Sequence, residues 1–557
     1  MLVHLKTQLQ TLLQNALSVA YPDQLNSLPI ELDIPTEKVF GEYSSNIALK
    51  SAKIFKKAPT VVANEFLAIF TMAIEKSPLK DKIAKIEVKN PGFINFFLTP
   101  TALYDVVYQI FKDEANYGRL NFGQNKKIQI EFVSANPTGP LSIAHARQAA
   151  VGDALANIFN FIGFKADREF YVNDEGNQIN ILGRSVAQRA QELLGEKVDF
   201  LEDNYQGDYI KDMAKEFMAQ HKINNLDGLN ATKPETFSQW AADYLLNVIK
   251  KELDDFGVHF DTWSHQSKIA TAEKIVAVLD VLKGKGFIYE KEGAWWFKST
   301  DFGDDKDRVV KKSDGSYTYL TPDIVYHKDK FDRGYERLIN IWGPDHHGYI
   351  PRITAVVEAL GYKKDNLNVL IVQLATLFRD GKPVSMSTRR GQYVSLREVM
   401  TEVGVDAARY FFLMRHISAH LEFDLELAKK ATPENPVFYI QYAHARVYSI
   451  NKKAQEAGIQ VQRNKLSLLK EEAELDLIKK MGWFADVLLF CYDQLDPYPL
   501  VNYLHELATA FHKFYDQHRV VEENKELSGE RLALVNSCRI VLANGLMLLG
   551  LTAPESM

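Results

Sequence analysis

Two stretches of the chain combine residue types that suit phosphate chemistry. The first is Glu131-Phe-Val-Ser134-Ala-Asn136-Pro137-Thr138-Gly139-Pro-Leu-Ser142-Ile-Ala144-His145. An alternating apolar run ends, a Pro- and Gly-rich turn follows, and a helical pattern begins with a histidine in its first turn. Unpaired N–H groups and partial positive charge at a helix start favour a phosphate. Small residues such as Ala144 and Ala146 let a nucleotide's phosphates or base approach the backbone. An ordinary strand–helix turn with a surface histidine reads the same way. The second stretch is Phe378-Arg379-Asp380-Gly381-Lys382-Pro383-Val384-Ser385-Met386-Ser387-Thr388-Arg389-Arg390-Gly391. It is a basic, hydroxyl-bearing loop after an apolar strand and could set cations and hydroxyls on a triphosphate. Basic loops are also common as solvated surface, so this stretch alone decides nothing.

Metal and thiol chemistry are weakly supported. His346 and His347 are adjacent but lack a third ligand at useful spacing, so no metal site is expected. Cys491 and Cys538 are the only cysteines, too few for a four-cysteine zinc site and best read as reduced thiols. The 66 Lys and Arg against 72 Asp and Glu give a net charge of −6 over 557 residues. The whole surface is therefore no nucleic-acid coat, and a nucleic-acid partner must meet local basic patches. The first residues, Met1-Leu-Val-His-Leu-Lys-Thr-Gln, lack the order of a secretory signal. The apolar run 540–551 is shorter than the ~20 residues of a membrane span. A cytoplasmic protein without a membrane segment is the expectation.

These residues need elements to hold them. Residues 1–115 read as an α+β unit: helically spaced leucines from Leu2 to Leu13, then strands at Ile83–Val88 and Phe93–Leu98 around Asn90-Pro91-Gly92. Residues 126–172 read as strand, loop, helix (Ile143 to Phe161, closed by Gly163) and strand, a βαβ unit whose loop lies where open α/β sheets bind nucleotides. Residues 173–290 read as a charged, mostly helical insertion. Strand-like runs resume at Trp295–Phe297, Thr318–Leu320, Leu338–Trp342 and Val369–Gln373. Helical periodicity dominates after 396, with Pro433 and Pro436 opening a last domain.

In this order the two stretches resemble the paired signature motifs of class I aminoacyl-tRNA synthetases. Gly41-Glu-Tyr-Ser-Ser-Asn-Ile-Ala-Leu, Pro91-Gly-Phe-Ile-Asn-Phe, Phe170-Tyr-Val-Asn-Asp-Glu-Gly-Asn-Gln-Ile, Trp342-Gly-Pro-Asp-His-His-Gly-Tyr and the C-terminal Gly545-Leu-Met-Leu-Leu-Gly-Leu-Thr-Ala-Pro-Glu-Ser-Met narrow the resemblance to arginyl-tRNA synthetases. The first motif, usually His-x-Gly-His, is Ser142-Ile-Ala-His145 here, and the second, usually Lys-Met-Ser-Lys-Ser or Lys-Met-Ser-Lys-Arg, is Ser385-Met-Ser-Thr-Arg389. With both lysines replaced, phosphate charge falls to Arg389, Arg390, Lys382, Arg379 or Mg²⁺.

The resemblance implies a multidomain α/β protein. It has an N-terminal α+β domain for the tRNA elbow (1–115) and a class I Rossmann-type catalytic domain (120–395) with a helical insertion (173–290). A connecting, stem-contacting region (396–432) leads to a C-terminal α-helical bundle for the anticodon (433–557). It implies activation of L-arginine with ATP and Mg²⁺ and transfer to tRNA(Arg) by a monomer. Catalytic roles fall on Ser142, His145, Ser387 and Arg389. ATP would meet Pro137, Thr138, Gly139, Ala144, His145, Met386 and Ser387. Arginine would meet Glu131, Ser134, Asn136, Tyr319, Asp323 and His346, since a guanidinium needs a carboxylate, acceptors and an aromatic face. tRNA would meet Asn90, Phe93, Asn95, Tyr442 and Arg446. Two other readings stay open: a synthetase-like tRNA-binding protein with weakened catalysis, and a class I synthetase for another amino acid. Asp323 could also be only a helix N-cap after Thr321-Pro322.

Overall fold

The computed structural model describes residues 2–22, 28–35, 37–384 and 394–557. At the N-terminus, helix Leu2–Ala20 buries Leu5, Leu9, Leu13 and Leu17, a four-residue repeat that keeps them on one face. It packs with helices Ile47–Phe55 and Pro59–Glu75 on an antiparallel sheet of β1 (Tyr43–Ser45), β2 (Ile83–Lys89) and β3 (Phe93–Leu98), in the order β1-β3-β2. Phe66, Phe70 and Phe96, all fully buried, fill the space between.

The catalytic region is built on five parallel strands. β4 (Lys127–Glu131), β5 (Lys165–Val172) and β6 (Thr262–His265) run to one side. Beyond β7 (Ile288–Lys291), β8 (Ala294–Phe297) and β9 (Arg308–Lys311), which form a separate antiparallel sheet, come β10 (Arg337–Trp342) and β11 (Leu367–Ile371). The order β11-β10-β4-β5-β6 reverses direction between β4 and β10. That reversal opens a crevice at the carboxyl ends of these two strands, where α/β sheets take ligands. The β4–β5 crossover is helix Ile143–Phe161, buried on nearly all sides. Its Gly152 allows the close approach: a Cβ there would lie 2.3 Å from the Phe132 ring.

Two expectations are corrected. The stretch 173–290 is not wholly an insertion, because the sheet takes its edge strand β6 from it, and Trp295–Phe297 belongs to the small antiparallel sheet. Helices Asn177–Leu193, Tyr209–Gln220 and Pro234–Asp255 form a module with its own core of Leu182, Val186, Phe217, Phe237 and Leu245. Thr318–Leu320 is no strand: Tyr319 precedes helix Leu320–Asp332, and Pro322 lies in the first turn, where its missing N–H costs nothing.

A small sheet of β12 (Ala375–Arg379), β13 (Lys382–Pro383) and β14 (Leu421–Asp424) leads to five helices: Pro436–Glu456, Glu472–Gly482, Phe484–Gln494, Tyr498–Gln517 and Lys525–Leu548. The last is long and apolar enough to cross a membrane, which corrects the length argument made on residues 540–551. Its apolar window is 78% buried, so it is the core helix of the bundle. Buried Arg409 ties the regions together. It pairs with Asp153 of the crossover helix and donates to the carbonyls of Phe256 (3.0 Å) and Leu549 (3.0 and 3.1 Å).

Candidate active site

At the end of β4 the backbone turns through Val133 and Ser134, both at positive φ (67° and 39°), a conformation that non-glycine residues hold only when neighbours enforce it. The enforcing bonds are present. The Tyr171 N–H donates to Ser134 Oγ (3.1 Å), and Ser134 Oγ donates to Glu131 Oε1 (3.1 Å). The other Glu131 oxygen accepts from Lys330 Nζ. Beyond the turn, Asn136 is exposed and donates to Gln178 (2.8 Å), while the Thr138 carbonyl accepts from Tyr209 (2.7 Å) of the helical module. The Pro137–Pro140 loop therefore lies under the insertion.

His145 opens the crossover helix. Its Nδ1 accepts from the Ser142 N–H (3.2 Å) and lies 3.2 Å from Ser142 Oγ. Burial lowers its pKa to about 4, so the ring is neutral at pH 7. With Nδ1 accepting, the single ring proton sits on Nε2, which makes His145 an uncharged donor. Met386, Ser387 and Arg389 lie outside the described residues. The chain on either side is placed: β13 leads in, and on the way out Ser395 bridges Ser142 while the Leu396 N–H donates to the Leu141 carbonyl (2.8 Å). Residues 395 and 396 thus lie beside Leu141 and Ser142 at the start of this helix. Of the flanking cations, Arg379 pairs with Glu402 (2.6 Å), and Lys382 is exposed.

The crevice between β4 and β10 holds the second half of the site. Asp323, in the first turn of helix Leu320–Asp332, does not cap it; its Oδ2 accepts from the Tyr349 hydroxyl. Burial, joined by the nearby Glu131 charge, lifts its pKa to about 6, against the opposing effects of Tyr349, Lys330 and Arg352. Tyr171 lies close enough that Asp323 and Glu131 both add to the burial that raises its own pKa. Buried Glu169 accepts from Arg333 through both oxygens (2.8 and 2.9 Å), from Tyr326 (2.8 Å) and from Ser264 (2.6 Å), a brace behind the pocket.

Not every expected residue is gathered here. Tyr319 is 81% exposed and His346 is exposed on the 344–349 turn, so the phenol that meets Asp323 is that of Tyr349, with Tyr171 nearby bonded to Gln266 (2.9 Å). Tyr349 falls within the Trp342–Tyr349 segment singled out from the sequence, whereas Lys330 follows Asp323 by two helical turns and drew no notice. Asn95 is corrected as an RNA contact: it is 1% exposed, accepts from Ser44 (2.7 Å) and serves the N-terminal sheet. Asn90 and Phe93 remain exposed at the β2–β3 turn. In the last domain the Arg446 guanidinium lies between Tyr442 and Tyr515, 5.3 and 5.1 Å from the ring centres.

A parallel sheet with a ligand crevice at its reversal point and a histidine at the start of the crossover helix are the frame of a class I aminoacyl-tRNA synthetase. The model of the class I (R) tRNA synthetase catalytic domain matches residues 106–415, that of the arginyl-tRNA synthetase N-terminal domain 7–98, and that of the DALR anticodon-binding domain 440–557. The chain is 46% identical to an arginine–tRNA ligase of Halalkalibacterium halodurans over 94% of both chains. It is 44% identical to the arginine–tRNA ligase of Desulforamulus reducens over 100% of this chain and 99% of that one. It also shares the fold of the Thermus thermophilus arginyl-tRNA synthetase (TM-score 0.76, 20% identity, 99% of this chain and 100% of that one). The chain belongs to the arginyl-tRNA synthetase family.

Proposed function

We propose the following division of labour for an arginine–tRNA ligase. The arginine carboxylate attacks the α-phosphorus of ATP and pyrophosphate leaves. The terminal ribose hydroxyl of tRNA(Arg) then attacks the arginyl-adenylate carbonyl and AMP leaves. The first nucleophile is already ionised, so alignment and charge stabilisation matter more than a base. His145 Nε2 donates to phosphate oxygens, with Ser142 holding its ring. Pro137, Thr138, Gly139 and Ala144 line the nucleotide, and Met386, Ser387 and Arg389 hold the departing pyrophosphate. Mg²⁺ would accompany ATP and supply charge against the triphosphate.

Asp323 takes the guanidinium, Glu131, Ser134 and Asn136 take the rest of the amino acid, and Tyr319 and His346 close over it from their exposed positions. The single observation that carries this is a buried carboxylate, Asp323, that accepts from the Tyr349 hydroxyl in the β4–β10 crevice. Domain 1–115, through Asn90 and Phe93, meets the tRNA elbow, 396–432 the stem, and 433–557, through Tyr442 and Arg446, the anticodon. The protein works as a cytoplasmic monomer without a membrane. ATP–pyrophosphate exchange with tRNA present tests the reading: exchange driven by arginine supports it, and tRNA binding without exchange means a binding protein only.

A further inference from the structure

A chain of buried groups runs from the Glu131 carboxylate to the backbone carbonyl of Asp323. Lys330 is fully buried and donates to Glu131 and to Asn340 Oδ1 (3.0 Å), with its ammonium 4.2 Å from the centre of the Tyr326 ring. Asn340 Nδ2 in turn donates to His327 Nε2 (3.0 Å), and His327 Nδ1 donates to the Asp323 carbonyl (2.9 Å). Asn340 and His327 are 0% and 3% exposed. Register sets this up: Asn340 of β10 pairs with Glu131 of β4, so both side chains reach the crevice at one level. Lys330, His327 and Asp323 stand at four- and three-residue steps along one helix face.

We propose that Lys330 is a positioning residue for arginine recognition: it fixes Glu131, braces the helix backbone at Asp323 through Asn340 and His327, and shields each carboxylate from the other's charge. This rests on the reading that Asp323 binds the guanidinium. An ammonium wholly out of water would be costly on packing grounds alone, and one that pairs with Glu131 while its charge also acts on the Asp323 carboxylate has an electrostatic use. Without it, Glu131 and Asp323 face one another with less compensation. The groups that face Asp323 are Tyr349 and Arg352 from the neighbouring turn and helix, Glu131 from β4, Tyr171 from β5, and Lys330 and His327 from its own helix. Lys330 and Arg352 are the cations among them that favour its charged form.

The test is the pH profile of the arginine KM in ATP–pyrophosphate exchange with tRNA. A protonated Asp323 cannot pair with a guanidinium, so the wild-type KM rises as pH falls through about 6. Lys330→Gln keeps a donor toward Glu131 and Asn340 but loses the charge. The rise should then begin about one pH unit higher, giving about a threefold larger KM near pH 6.5 and about an eightfold larger one near pH 5.5. At high pH and saturating arginine, kcat should stay within about threefold of wild type. Adding Glu131→Gln removes the opposing charge and should return the limb to its wild-type position, an outcome that a packing defect would not produce. An unmoved limb in Lys330→Gln, or a limb still displaced in the double variant, overturns the proposal. Asp323→Asn separates the two readings. If it leaves the arginine KM unchanged, the guanidinium assignment fails; if it raises KM while Lys330→Gln leaves the limb in place, only the role of Lys330 fails.

Discussion

Replacing Asp323 with asparagine removes one charge and keeps the side chain's shape, including an oxygen that can accept from Tyr349. Breaking a buried, hydrogen-bonded charge pair costs about 2–5 kcal/mol, which is about a 30- to 4000-fold loss in kcat/KM for arginine. Citrulline has nearly the same shape without the charge, so its use should fall far less and discrimination should narrow. Stability should move the other way. The folded carboxyl titrates at about 6 against 3.8 for the free group, so the folded state holds its proton more tightly than the unfolded chain. Above pH 6 the charge therefore works against folding, and the penalty fades as pH falls toward 3.8. Without arginine, Asp323→Asn should be more stable than wild type by about 1–3 kcal/mol at pH 8, after allowing for solvent screening, with the gap closing in acid. Exchange kinetics with both amino acids, and denaturant unfolding at pH 8 and pH 5, read the two effects. Unchanged arginine kinetics and citrulline rejection would refute the reasoning and pass the carboxylate role to Glu131.

His145→Ala should slow adenylate formation by about 10²–10³-fold with little change in arginine KM; because the ring stays neutral down to about pH 4, the wild-type exchange rate should show no limb from it between pH 5 and 8. Arg389→Ala should slow activation strongly in single-turnover measurements, and Ser385→Lys should raise the rate; normal turnover of Arg389→Ala would move the cation to Lys382 or Arg390. Arg409→Met should destabilise the protein by about 3–5 kcal/mol in chemical denaturation, since it leaves Asp153 with Arg168 as its remaining ion-pair partner and strands the Leu549 and Phe256 carbonyls.

The β4–helix–β5 unit was legible because its signals are local: alternation at Ile128 and Ile130, a Pro–Gly turn, and Gly163 at a positive φ of 97° after the helix. Thr318–Leu320 misled because three residues of strand-forming type carry less information than Pro322 two places on. Asn95 is named for its match to the family's elbow contacts, and its burial depends on Ser44, 51 positions away. Lys330 and Tyr349 were hidden for the same reason. Their meaning comes from β10 and the 344–349 turn being folded against the helix that carries Asp323, which no spacing along the chain encodes.

Aminoacylation of total tRNA, tried with each of the twenty amino acids in turn, tests the central claim most directly. The account predicts that arginine alone is attached, that the charged fraction is tRNA(Arg), and that charging requires ATP. Charging with another amino acid, or tRNA binding with no charging at all, would contradict it.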